Sequence, residues 1–108
     1  MSSVLSIAAS GMAAAQKRLE VSARNVANVS SRPSDDEAAA AFAALRMDQI
    51  EISGGGTAAV VSRAPAGTEV DLANEAIQLM VARYTFAANA KIAKAAGDMQ
   101  KALLDVKA

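Results

Sequence analysis

Five acidic side chains hold the positions from which this chain could do chemistry. Asp35, Asp36 and Glu37 are contiguous, and Asp71 and Glu75 stand four apart. Carboxylates grouped in this way can share a proton or take a divalent cation. The side chains that usually assist them are missing. The 108 residues include no histidine and no cysteine, which removes imidazole bases, thiol nucleophiles, disulfides and most zinc sites. With only one tyrosine, two phenylalanines and no tryptophan, little is left to line a substrate pocket. Both acidic groups also stand where a helix would begin. Ser34 and Glu37 have the spacing of a capping box, Thr68 and Asp71 repeat it, and negative charge favours a helix N-terminus. Gly54-Gly55-Gly56 lacks the lysine and serine or threonine of a phosphate loop and leads into a strand pattern. The expectation is a chain with no catalytic residue, no metal, no cofactor and no small-molecule substrate, hence not an enzyme.

The elements around these groups are mostly helical. Residues 3–29 read as one helix of about 40 Å at ~1.5 Å per residue. Leu5, Met12, Leu19 and Val26 recur every seven, and Ala8, Ala15, Ser22 and Val29 follow three residues later in each heptad. That is an a/d seam with small residues on one row; Lys17, Arg18, Glu20 and Arg24 lie off it. Asn28 suits the C′ position, where a left-handed backbone ends a helix, and Pro33 blocks continuation. Asn25 lies inside the last turn, so capping does not account for it. It either bonds a neighbouring backbone or faces water, with water the simpler expectation.

Residues 30–67 form an excursion. A short helix is expected near 35–42, after the Ser34 cap. Near 45–63 the period changes to two: Leu45 and Met47 alternate with polar residues, then Ile50 and Ile52 do so with the opposite parity. The flip at Asp48–Gln49 predicts a β-bulge, and the triple glycine predicts the turn of a β-hairpin. Residues 64–67 read as a linker. From 69 to 107 a second helix is expected, about 54 Å long at ~1.5 Å per residue from Asp71 onward. Ile77, Val81, Tyr84, Ala88, Ile92, Ala95, Met99, Leu103 and Val106 form its apolar stripe. Leu72, Ala76, Leu79, Phe86, Ala90 and Ala93 widen it. The fold class is therefore mainly α in a single domain, 1–108: long terminal helices pairing antiparallel as a coiled coil, with a short β-hairpin excursion between them.

Composition sets the energetic scale. Apolar residues make up 53% of the chain but aromatics only 3%, because most of the apolar content is alanine. Alanine favours helix yet buries little surface, so the core should be thin. A stripe plus a shoulder is wider than one partner helix can cover, which predicts further neighbours from other subunits. Net charge is zero, so no nucleic acid or anionic surface is implied. No apolar run is long enough to span a membrane. The N-terminus has no basic n-region, and its periodicity continues through Lys17 and Arg18, so a retained helix is expected rather than a cleaved signal.

The stretch "SGMAAAQKRLEVSARNVANVSSRP" resembles the N-terminal signature of the flagellar axial proteins, the rod, hook and hook-associated subunits, and most closely the small proximal-rod subunits. The shared residues are Ser10, Gly11, Gln16, Arg18, Leu19, Asn25, Val26, Ala27 and Asn28. The C-terminal stretch is similar to the partner signature through Val70, Asp71, Leu72, Asn74, Glu75, Arg83, Tyr84, Ala88, Asn89, Ala95, Asp98, Met99 and Leu103. The pattern departs from the family after the asparagine turn, where Ser31, Arg32, Pro33 and Ser34 replace the usual Thr-Pro-Gly-Tyr, and residues 34–45 look like an addition.

The resemblance implies a structural subunit of the bacterial flagellar basal-body rod, self-assembling by coiled-coil packing of its terminal helices around the export channel. It implies export by the flagellar type III apparatus, without a cleaved signal peptide, to the periplasm-spanning rod. The implied partners are copies of itself, other rod and hook subunits and the export apparatus. The residues expected to carry assembly are Leu5, Gly11, Met12, Leu19, Asn25, Asn28, Asp71, Leu72, Asn74, Glu75, Tyr84, Asn89, Ile92, Met99 and Leu103. Under the resemblance, Asn25 gains a role in subunit or chain-turn contacts. The competing reading is a cytoplasmic helical adaptor or regulatory protein with axial-protein-like ends.

Overall fold

Proline is absent from both long alanine-rich stretches, and both are helical. A computed structural model describes residues 2–30, 44–65 and 69–107. In chain order it has α1 (Ser2–Ser30), β1 (Leu45–Glu51), β2 (Thr57–Arg63) and α2 (Leu72–Lys107). The expected helix near 35–42, its Ser34–Glu37 capping pair, and Thr68 lie outside the described residues.

Asp71 caps α2 by itself. Its Oδ1 accepts from the Ala73 and Asn74 amides at 3.0 and 3.2 Å, and its carbonyl accepts from the Glu75 amide at 2.9 Å. The end of α1 differs from expectation. Asn28 is not a C′ residue: the helix runs on to Ser30, and no non-glycine residue among those described has positive φ. An asparagine merely permits a left-handed stop, and the nearest obligatory breaker, Pro33, acts only on the residues just before it.

The hairpin is antiparallel and its register is unbroken from Leu45 opposite Arg63 to Glu51 opposite Thr57. The expected bulge at Asp48–Gln49 is absent. The parity flip has another cause: Ile50 and Ile52 are exposed, so an apolar residue marks the outer face there and not the inner one. Gly54, Gly55 and Gly56 have φ of 94°, 99° and 101°, a run that side-chain-bearing residues rarely adopt.

The two helices run antiparallel. Gly11 of α1 faces Asn89, Arg18 reaches Gln78 and Asn25 reaches Glu75, so α2 retreats as α1 advances. Among the described elements, the hairpin packs on α1 and not on α2. Among the described residues the buried apolar ones are Ala8, Ala14, Ala15, Val21, Ala82 and Ala96, none larger than valine. Each alanine methyl contributes about 0.8 kcal/mol when buried, so hydrophobic stabilisation within the chain is modest.

Close approach replaces bulk at the crossing. A Cβ on Gly11 would lie 2.5–2.6 Å from the Asn89 side-chain amide, whose Nδ2 donates to the Thr85 carbonyl at 2.9 Å. Gly11→Ala should improve helix propensity by roughly 1 kcal/mol but force that amide out of place, at a cost of about 1–3 kcal/mol. The expected result is a lower urea midpoint for Gly11→Ala and recovery in Gly11→Ala/Asn89→Ala, where the obstructing amide is gone.

Candidate assembly surface

The face that α1 turns to the rest of the chain is small and polar. Its buried positions are Ala8, Gly11, Ala14, Ala15, Val21, Ser22 and Asn25, with Arg18 half-buried among them. The period of the expected seam is right but its phase is not. The row Ala8–Ala15–Ser22 is buried as expected, whereas its companion row is Gly11–Arg18–Asn25 and not Leu5–Met12–Leu19–Val26. Val29 is exposed as well. Arg18, expected off the seam, is on it.

Asn25 is the junction of three elements and is 1% exposed, which overturns the solvated reading. Its Oδ1 accepts from the Leu45 amide at 2.8 Å. Its Nδ2 donates to the Leu45 carbonyl at 2.9 Å and to Glu75 Oε1 at 3.0 Å. The side-chain amide thus pairs with the first peptide of β1 as a neighbouring strand would, and its remaining hydrogen holds α2. Two turns earlier, Arg18 repeats the bridge: Nη1 donates to Gln78 Oε1 at 2.6 Å and Nη2 to Gln49 Oε1 at 3.3 Å. At the far end of the hairpin, Ser10 Oγ accepts from the Thr57 amide at 3.1 Å and donates to the Ile7 carbonyl at 2.7 Å. No buried side-chain polar atom among the described residues lacks a partner. Glu75 is 8% exposed and is occupied by Asn25, while Asp71 is occupied by capping. This pair therefore serves structure, Asp71 by capping α2 and Glu75 by holding Asn25, at the edge of a cleft that Arg18, Asn25 and Gln78 also line.

The large apolar side chains are on the outside. Every member of the expected α2 stripe is exposed: Ile77, Val81, Tyr84, Ala88, Ile92, Ala95, Met99, Leu103 and Val106, with Tyr84 at 73%. The face α2 turns to α1 is instead Glu75, Gln78, Ala82, Thr85, Asn89 and Ala96, buried or half-buried. Of the shoulder, Leu79, Ala90 and Ala93 are half-buried, while Leu72, Ala76 and Phe86 are exposed. From Asp98 to Val106 every residue of α2 is exposed. On α1, Leu5 and Met12 are half-buried and Leu19 is 48% exposed.

Twelve of the fifteen expected assembly residues fall into two groups. Gly11, Asn25, Glu75 and Asn89 join elements within the chain. Leu19, Leu72, Tyr84, Ile92, Met99 and Leu103 face outward, with Leu5 and Met12 at the edge. Asn28 is a half-buried helical residue, and Asp71 and Asn74 form the exposed α2 cap. Gln49, Gln78 and Thr85 were missed, because isolated polar residues carry no periodic signal of their own. No helix among the described residues is long and apolar enough to cross a membrane. Residues 5–31 match the family model described as flagella basal body rod protein. That is a family of structural flagellar components, and the match supports a flagellar rod protein. No curated protein matches the chain.

Proposed function

We propose that this chain is a structural subunit of the bacterial flagellar basal-body rod, assembling by packing the outer faces of its terminal helices against neighbouring subunits around the export channel. The observation that carries the reading is the inversion of the usual amphipathic order. Alanine, glycine, serine and asparagine lie between the helices, while leucine, isoleucine, methionine and tyrosine face out. A helix that buries its small face and exposes its large one has its main hydrophobic energy still to gain. Each outward Leu, Ile or Met contributes about 1.5–3 kcal/mol when fully buried, so about six to eight of them supply about 9–24 kcal/mol against the ~4–15 kcal/mol that association costs.

In this reading Gly11, Asn25, Glu75 and Asn89 set the shape of the subunit, and Leu5, Met12, Leu19, Tyr84, Ile92, Met99 and Leu103 make the contacts between subunits. Export through the flagellar type III apparatus without signal cleavage, and neighbours among the other rod and hook subunits, belong to the same proposal. Fractionation tests it: the protein is expected in purified basal bodies with its N-terminus intact. Recovery solely as a small cytoplasmic oligomer would favour the adaptor reading.

A further inference from the structure

Resting on that assembly role, we infer that the trough between α1 and α2 receives the exposed α2 ridge of a second copy of this chain, in a head-to-tail contact. The trough has a volume of about 600 Å³, a floor of Ala15 and Ala82, and walls that include Leu19, Leu79 and Phe86. It shares no lining residue with the two clefts beside the hairpin, so it opens on the other side of the helix pair. The alanine floor lets a third helix approach closely, and Gln16 and Arg83 at its edge supply donors for a tyrosine hydroxyl.

The ridge is Ile77, Val81, Tyr84 and Ile92. The large apolar trough residues Leu79 and Phe86 of α2 lie two positions from the ridge residues Val81 and Tyr84. Two positions are about 200° around an α-helix, so ridge and trough occupy opposite sides of α2. A contact between them uses different surfaces on the two copies. It cannot close as a two-fold dimer and propagates into a ring or helical array. Ridge against ridge would be convex on convex and would leave the trough unfilled.

The area agrees with a head-to-tail array. The chain exposes 7413 Å². A compact monomer of 11.0 kDa is expected to expose about 5,600 Å². A standard specific interface buries about 800 Å² on each partner, so the excess of roughly 1,800 Å² matches the two faces, ridge and trough, that each copy would bury.

The chain has no cysteine, so introduced thiols are the sole targets of a short bismaleimide. Leu19→Cys and Tyr84→Cys variants of the whole chain are mixed, concentrated and cross-linked, with each variant alone as the control. The mixture is expected to give at least ten-fold more dimer than either variant alone, and the double variant a ladder of oligomers. Dimers from either variant alone would overturn the inference in favour of a two-fold contact. A mixture that sedimentation shows to be associated but that does not cross-link would overturn it, as would a mixture that stays monomeric. None of these outcomes bears on whether the protein is found in basal bodies, which fractionation decides separately.

Discussion

Asn25→Leu is expected to release the hairpin from the helix pair and to lower stability by about 3–5 kcal/mol, enough to unfold much of an isolated subunit. The substitution keeps the branched shape and adds hydrophobicity, so counting apolar contacts alone would expect it to be mild. The polar groups left behind decide otherwise. The Leu45 amide, the Leu45 carbonyl and Glu75 Oε1 all lose their partner. Unsatisfied buried groups cost about 1–3 kcal/mol each, reduced where water can enter. A small domain has only about 5–15 kcal/mol in total, and a core of alanines sits at the low end. Loss of Leu45 amide protection in hydrogen exchange, with a fall in helicity, would be the readout. Reciprocal exchange provides the control. Asn25→Asp places a second carboxylate against Glu75 and should be worse than Glu75→Gln. Asn25→Asp/Glu75→Gln should recover part of the loss, since the Leu45 carbonyl still lacks the donor that Asn25 Nδ2 supplies. The amide introduced on α2 can donate to the carboxylate introduced on α1, and that carboxylate still accepts from the Leu45 amide. Failure of the double variant to improve on Asn25→Asp would remove the bridge from the explanation.

Leu19→Asp is expected to act chiefly on association: abolish assembly and motility while costing the isolated subunit about 1–2 kcal/mol. Leu19 is half out of contact within the chain, so a carboxylate there stays hydrated in the monomer. In the assembled trough the same carboxylate would be stripped of water among Leu79, Phe86 and a neighbour's ridge, a penalty of several kcal/mol at every interface along the rod. Circular dichroism of the purified variant should stay close to the parent at low concentration, and a strain carrying it should form no rod. A motile Leu19→Asp strain would place Leu19 outside any contact between subunits.

The succession helix, hairpin, helix is legible in local signals. Proline-free alanine runs, Asp71 before the second run, and three glycines between two β-rich segments each have one economical solution. What periodicity could not decide was phase. On α1 three neighbouring heptad rows are apolar or small, and the expectation that the largest residues face inward selected Leu5, Met12, Leu19 and Val26. The chain selects Gly11, Arg18 and Asn25 instead. The same expectation turned the α2 stripe inward, where the structure turns it out. On the proposed assembly role, hydrophobic periodicity marks the surface that neighbouring subunits would cover, which differs from the one buried in the single chain. Asn25 was illegible for a related reason: its partners are a strand peptide 20 residues away and a carboxylate 50 residues away, and nothing local encodes their approach.

Thermal unfolding of the whole wild-type chain, followed by circular dichroism across a hundred-fold range of concentration with sedimentation in parallel, tests most directly whether the helices keep their main apolar faces for neighbours. Association stabilises the folded state by mass action. The prediction is a low midpoint at the dilute end, rising with concentration as larger species appear. A midpoint that is high and independent of concentration, in a species that sediments as a single chain throughout, would contradict it.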